Sequence, residues 1–160
     1  MTMTLVETIT VGSGGAASVE FTGIPADGKD LQVLVSARVD ATDYGLTCRF
    51  NNDTANVTTV FLRGVSGSVG SGTGIVQAAS AKSNQTANTF SSSSFYVSNY
   101  GSSTAKSYSG DGVNENNGSD AQIVISANSW SGTAAITSLK LTNDSGNFVE
   151  HSSASLYSIS

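Results

Sequence analysis

The only imidazole of the chain, His151, stands beside Glu150, so any Ser-His-Asp or Cys-His mechanism would have to run through it. Ser152 and Ser153 follow it in what reads as a terminal strand, where a solvent-facing or hydrogen-bonded imidazole is the simpler assignment. The only thiol, Cys48, shares strand parity with Leu46 and Phe50, as a small buried hydrophobe would. A single cysteine cannot form an intrachain disulfide, so stability has to come from packing and hydrogen bonding. Carboxylates pair closely at Asp27 and Asp30 and again at Asp40 and Asp43, the raw material of a glycosidase's acid and base. Each pair falls at an expected strand end beside Gly28 or Thr42, where Asp is also a turn former. The stretch from Asp111 to Asp120 is the richest in carboxylate and amide oxygens, which suit calcium. It departs from the EF-hand loop in having no Gly at the sixth position, and its Asn117-Gly118 reads instead as a polar hairpin turn. The glycines from Gly64 to Gly74 lack the Lys-Ser/Thr and following helix that a phosphate-cradling loop requires.

Tyr96, Tyr100 and Tyr108 cluster along the chain and Trp130 ends a strand, so a stacking platform for sugar rings is one use for them. Filling a core or a subunit interface is the other, and the preferred one. No catalytic residue, metal site or cofactor is assigned from the sequence. Composition points the same way: Ser (28), Thr (17) and Gly (17) occupy 62 of the 160 positions, while only 19 residues carry charge. The charged fraction of 12% is about half the usual quarter, which leaves few groups for catalytic or metal chemistry. A net charge of −5 with seven scattered basic residues argues against a nucleic-acid partner, because a phosphate surface needs clustered Lys and Arg. No apolar run approaches a membrane helix, and the opening residues lack the pattern of a secretion signal. The expectation is a soluble chain made in a reducing cytoplasm, with no membrane partner. The five Asn-X-Ser/Thr triplets are then by-products of composition.

The elements that would position these groups read as strands. Leu31, Val33, Val35, Ala37 and Val39 alternate over nine residues, and Leu46, Cys48 and Phe50 do the same. Leu5, Ile9 and Val11 share one parity with Glu7 intruding; Val19 and Phe21 follow the turn Gly12-Ser13-Gly14-Gly15. Val60-Phe61-Leu62 is a further extended run. The segment Ser66 to Gly74 suits a long flexible loop or a poorly specified edge. Later strands are expected at about 90–100, 105–113, 121–130, 136–141 and 148–159, the last broken near Ser152-Ser153. Within 121–130, Ile123, Ile125 and Ala127 share one face while Val124, Ser126, Asn128 and Trp130 share the other. Strand starts spaced ten to fifteen residues apart, joined by Gly, Asn, Asp and Ser turns, predict an all-β antiparallel sandwich of eight to ten strands with little or no helix, as a single domain over 1–160.

The run Leu5-Val6-Glu7-Thr8-Ile9-Thr10-Val11-Gly12-Ser13-Gly14-Gly15, with Val19-Glu20-Phe21-Thr22-Gly23-Ile24-Pro25 and Asp30 to Arg38, resembles a family of small bacteriophage virion proteins. Trp130 to Leu139, Gly146 to Glu150 and Ser155 to Ile159 extend that resemblance over most of the chain, with 54–84 least characteristic. The resemblance implies a jelly-roll-like β-sandwich carried in many copies on the particle. The favoured role is a capsid cement or decoration protein that binds the major capsid protein of the phage head and stabilises the shell. A receptor- or glycan-binding knob or fibre domain is the alternative. With no long helix or stalk, the cement role fits better than a fibre. Self-association, as a cyclic homotrimer, is expected because closed rings remove exposed sheet edges. Met1, Thr2, Met3 and Thr4 are expected to form a short arm that orders on the shell or on a neighbour, and Tyr96, Tyr100 and Trp130 complete the expected interaction residues.

Overall fold

The computed structural model describes residues 2–43, 45–114 and 120–160, and among these it contains strands, turns and bends but no helix. The strands are β1 (Met3–Thr10), β2 (Ser18–Thr22), β3 (Asp30–Ser36), β4 (Gly45–Phe50), β5 (Val57–Val65), β6 (Ser68–Thr73), β7 (Ala78–Ala79), β8 (Ser92–Val97), β9 (Lys106–Asn114), β10 (Gln122–Trp130), β11 (Ser138–Asn143) and β12 (Ser153–Ile159). They form two antiparallel sheets of unequal size, one of eight strands in the order β1-β12-β3-β8-β9-β10-β5-β6 and one of four in the order β2-β11-β4-β7. The all-β sandwich expected from alternation is therefore the fold. Twelve strands replace the expected eight to ten because the least patterned part of the chain supplies two more, β6 and β7.

The core lies between the sheets. Phe21, Leu46, Cys48, Phe50, Leu139 and Leu141 of the small sheet meet Leu31, Val33, Val35, Phe95, Val97 and Leu156 of the large one, all buried. These are the positions that alternation singles out, and burying each aliphatic or aromatic side chain contributes about 1.5–3 kcal/mol. The accessible surface of 7349 Å² matches the roughly 7,500 Å² that a compact 16.3 kDa chain retains.

Three features depart from the simple pattern, each for a local reason. The expected common parity of Leu5 and Ile9 is broken by a bulge between Leu5 and Glu7: Leu5 pairs with Tyr157 and Ile9 with Ala154, on opposite faces of β12. Val6 and Ile9 consequently lean on the core while Leu5 is exposed. The Ser66–Gly74 segment is not a flexible loop. It closes a hairpin at Ser66-Gly67, both at positive φ as a two-residue type I′ turn requires, and runs back along β5 as the edge strand β6.

The third departure is the stretch Ile75–Lys82, which crosses the inner face of β8, β9 and β10 while only Ala78 and Ala79 pair with β4. Its remaining backbone groups need other partners. Ser126 Oγ donates to the Gln77 carbonyl (2.6 Å), Ser93 Oγ to the Ala79 carbonyl (2.6 Å) and Asn114 Nδ2 to the Ser80 carbonyl (2.7 Å). This accounts for the polar residues that β8, β9 and β10 turn inward, since an unpaired buried carbonyl is costly. The crossing is close enough that a Cβ at Gly110 would stand 2.5 Å from the Gln77 oxygen, and one at Gly112 2.6 Å from the Ala79 nitrogen.

Candidate functional site

The residues with chemical potential are placed in separate parts of the molecule. His151 sits exposed in the turn before β12, in the left-handed backbone region. Cys48 is fully buried in β4, and burial drives its thiol pKa far above the ordinary value. Asp30, at the start of β3, is buried and accepts bonds from the Tyr96 hydroxyl (2.6 Å) and the Asn99 amide (2.9 Å), while Asp27 remains in an exposed turn. Asp40 accepts the Asn147 amide (2.7 Å) and Asp43 the Ser145 hydroxyl (3.2 Å), so this pair braces the turn between β11 and β12. Asp144 lies in that same turn and was not anticipated. Desolvation, with Asp43 adding repulsion against a smaller opposing pull from Arg49, raises its carboxyl to about 6. Of the acidic segment, Asp111 accepts from Ser94 Oγ (2.6 Å) and Asp120 pairs with Lys82 (2.6 Å). Residues 115–119, where the calcium and hairpin readings would differ, lie outside the described residues, although β9 and β10 do pair antiparallel on either side of them. Among the described residues no three His, Cys, Asp or Glu side chains converge as metal donors.

The aromatics divide between core and surface. Tyr100 is fully buried, its hydroxyl donating to the Pro25 carbonyl and accepting from the Gly28 amide, so it anchors a loop and offers no ring to a partner. Trp130 closes one end of the core: its Nε1 donates to Asp53 (2.9 Å), its ring meets Phe50 edge-on at 5.7 Å, and the Lys106 ammonium lies 5.3 Å from its centroid. These two expected interaction residues are therefore structural, because both polar handles already have internal partners. Tyr108 is buried as well, held by Gln77 Nε2 (2.9 Å) and packed edge-on against Phe50 at 4.9 Å. Tyr96 alone of the expected interaction aromatics reaches the surface, with its hydroxyl fixed by Asp30. The expected N-terminal arm also requires correction. Met3 and Thr4 belong to β1, and Thr2 exchanges backbone bonds of 2.9 and 3.0 Å with Ser160, because the open flank of β12 offers ladder partners up to the last residue. Met1 lies outside the described residues.

What the fold does assemble is a surface. The small sheet and the Ile75–Lys82 crossing cover one face of the large sheet, and the other face is open to solvent. Its β1-β12-β3-β8 half is more polar, with Thr8 bonded to Ser155 (2.8 Å) and with Ser92, Ser94 and Tyr96 alongside, although Leu5 and Leu34 are exposed there as isolated aliphatic residues. Its β9-β10-β5-β6 half is apolar. Register sets Val69, Gly64, Ile123 and Val113 in one row across the strands, and Leu62, Ile125 and Asp111 in the next. Val60 and Ala127 are neighbours in a third row. Val69 is 86% exposed, Leu62 58%, Val60 57%, Ile125 55%, Ile123 49% and Val113 44%. A groove of about 430 Å³ runs along the first row, beside the Ser66-Gly67 turn. The alternation of Ile123, Ile125 and Ala127 was visible in the sequence, but its direction was not: β10 turns Ser126 and Asn128 inward and its isoleucines outward. Comparison with family models, curated proteins and solved structures gives no match, leaving the functional reading to this geometry and to the resemblance.

Proposed function

We propose that this chain is a structural protein of a bacteriophage particle, a cement or decoration protein that binds the major capsid protein of the head and ties neighbouring shell subunits together. The observation that carries the proposal is the open face of the eight-stranded sheet, a broad adhesive area on a scaffold whose buried polar side-chain atoms are all bonded among the described residues. A rigid plate of this kind holds a partner without paying for its own ordering. Repetition by the symmetry of a shell turns modest contacts into firm attachment. Self-association into a closed ring, a trimer, and the jelly-roll connectivity implied by the resemblance belong to the same proposal. The test is to add the purified chain to shells lacking it and measure co-sedimentation and resistance of the shells to heat. Stoichiometric retention with a raised disruption temperature is expected; absence from purified particles, or turnover of a substrate, would defeat the proposal.

A second reading, a glycan-binding knob, is favoured by Tyr96. Its ring is partly exposed on the polar half of the open face, its hydroxyl is fixed by Asp30, and Ser98, Ser107 and Ser109 line the shallow depression beside it. A glycan array probed with wild type and Tyr96→Ala distinguishes the readings, since only a knob gives signals that the substitution removes.

A further inference from the structure

We infer that the apolar half of the open face, centred on Leu62 and Ile125, is the surface through which one copy of this chain packs against a second copy. The inference identifies the self-contact and goes beyond the coat reading, holding whether or not the chain sits on a shell.

Area is the first argument. At the exposures given above, the six apolar side chains offer on the order of 600 Å², at the upper end for the largest apolar patch of a lone protein. A stable interface removes ~800 Å² per partner, or about a tenth of a small protein's surface, and a tenth of 7349 Å² is close to what this patch and its rim provide.

Charge is the second. Each copy carries −5, yet the apolar rows include one ionisable group, Asp111, at their margin and already bonded to Ser94. Two acidic molecules can approach through these rows with little repulsion, and among the described residues the rows hold no cluster of charge that would select an oppositely charged partner. Shape is the third. Sheets pack face to face at ~10 Å with strands about 30° apart, an arrangement that needs matched twist, and an identical sheet has that twist by construction. Symmetry then closes the contact, because each copy presents the same rows to its neighbour.

The test is the mass of the full chain in solution, by sedimentation velocity and light scattering, at protein concentrations up to the high micromolar range. Wild type is expected at twice 16.3 kDa, because identical rows packed face to face close at two copies. Raising the salt should leave that mass unchanged or tighten the assembly, because repulsion between like-charged copies is screened. Leu62→Lys should shift the mass to one copy with an unchanged circular dichroism spectrum. Val69→Lys, on the most exposed side chain of an edge strand, should do the same if the first variant folds poorly. Thr8→Lys, on the edge strand at the far side of the polar half, should leave the oligomer intact. A wild type of 16.3 kDa throughout, or folded Leu62→Lys and Val69→Lys variants that keep the oligomer, overturns the inference. A monomeric wild type that binds phage shells, and is released by Leu62→Lys, also overturns it and gives the face to the shell subunit. An oligomer that dissociates with Leu62→Lys but never binds shells upholds the inference and removes the coat reading.

Discussion

At the scale of single residues, the interior is organised by hydrogen bonds as much as by apolar contact. Gln77 shows the logic. Its Oε1 accepts the Cys48 amide (2.7 Å), its Nε2 donates to Tyr108, and its backbone carbonyl accepts from Ser126 Oγ, so one residue links both sheets to the crossing segment. The close approach that makes this possible depends on glycine. Gly112→Ala should destabilise the protein by about 1–3 kcal/mol, since the nearby Ala79 backbone cannot yield as a side chain would. Urea unfolding checks this, and an unchanged midpoint would mean the crossing is looser than described. Asp144 supplies a pH dependence. Its folded pKa of about 6 lies above the ~3.9 of an unfolded Asp, so between those values the folded state holds more protons and stability falls as pH rises. Solvent screening of this exposed group limits the effect to about 1 kcal/mol. Asp53 acts oppositely: bonds from Asn56, Trp130 and the Ala55 amide depress its pKa, so its contribution is present above ~3.9 and lost below. The urea midpoint should therefore rise from pH 7.5 to about 4.5 and fall in stronger acid. Asp144→Asn should flatten the first limb and spare the second.

At the scale of elements, the main strands were legible: β3 and β4 lie where the alternation of Leu31 to Val39 and of Leu46 to Phe50 places them, and β8 and β11 fall within or close to the expected runs 90–100 and 136–141. Elements held by partners distant in sequence were not. The bulge in β1 depends on its ladder with β12 at the far end of the chain, and β7 exists because Gly110, Gly112, Ser93 and Ser126 leave it room and donors. The loop 83–89 is similar, being gathered around Arg38, whose guanidinium donates to the carbonyls of Ser83, Gln85, Thr86 and Thr89. Arg38→Ala would strand those carbonyls, at a cost of about 2–3 kcal/mol. Hydrogen exchange should then accelerate across residues 83–91 while β3 and β9 remain protected. Equal acceleration in all strands would show that Arg38 supports the whole sandwich and not this loop.

At the scale of the whole molecule, one continuous core joins the two sheets, and Trp130 caps one end of it against Phe50 of the opposite sheet. Unfolding should be a single cooperative event, with Trp130 fluorescence and far-ultraviolet circular dichroism giving coincident thermal transitions. Separate transitions would mean that the polar-packed region around the crossing opens on its own. The same architecture explains the open face. In a two-layer sandwich each sheet has a single inner face, so the outer face of the eight-stranded sheet stays open.

The residue order alone determined an all-β chain, its main strands, the burial of Cys48 and the sparsity of reactive groups, because strand periodicity and composition are local properties. Which face of β10 points inward, where Tyr100 and Trp130 go, and that Leu62, Ile125 and Val69 meet in one surface were decided only by tertiary structure. The physical reason is that an alternating strand is symmetric between its two faces until a neighbour claims one of them. Here the claimant is a backbone segment needing hydrogen-bond donors, which drew serine and asparagine inward and sent isoleucine to the surface.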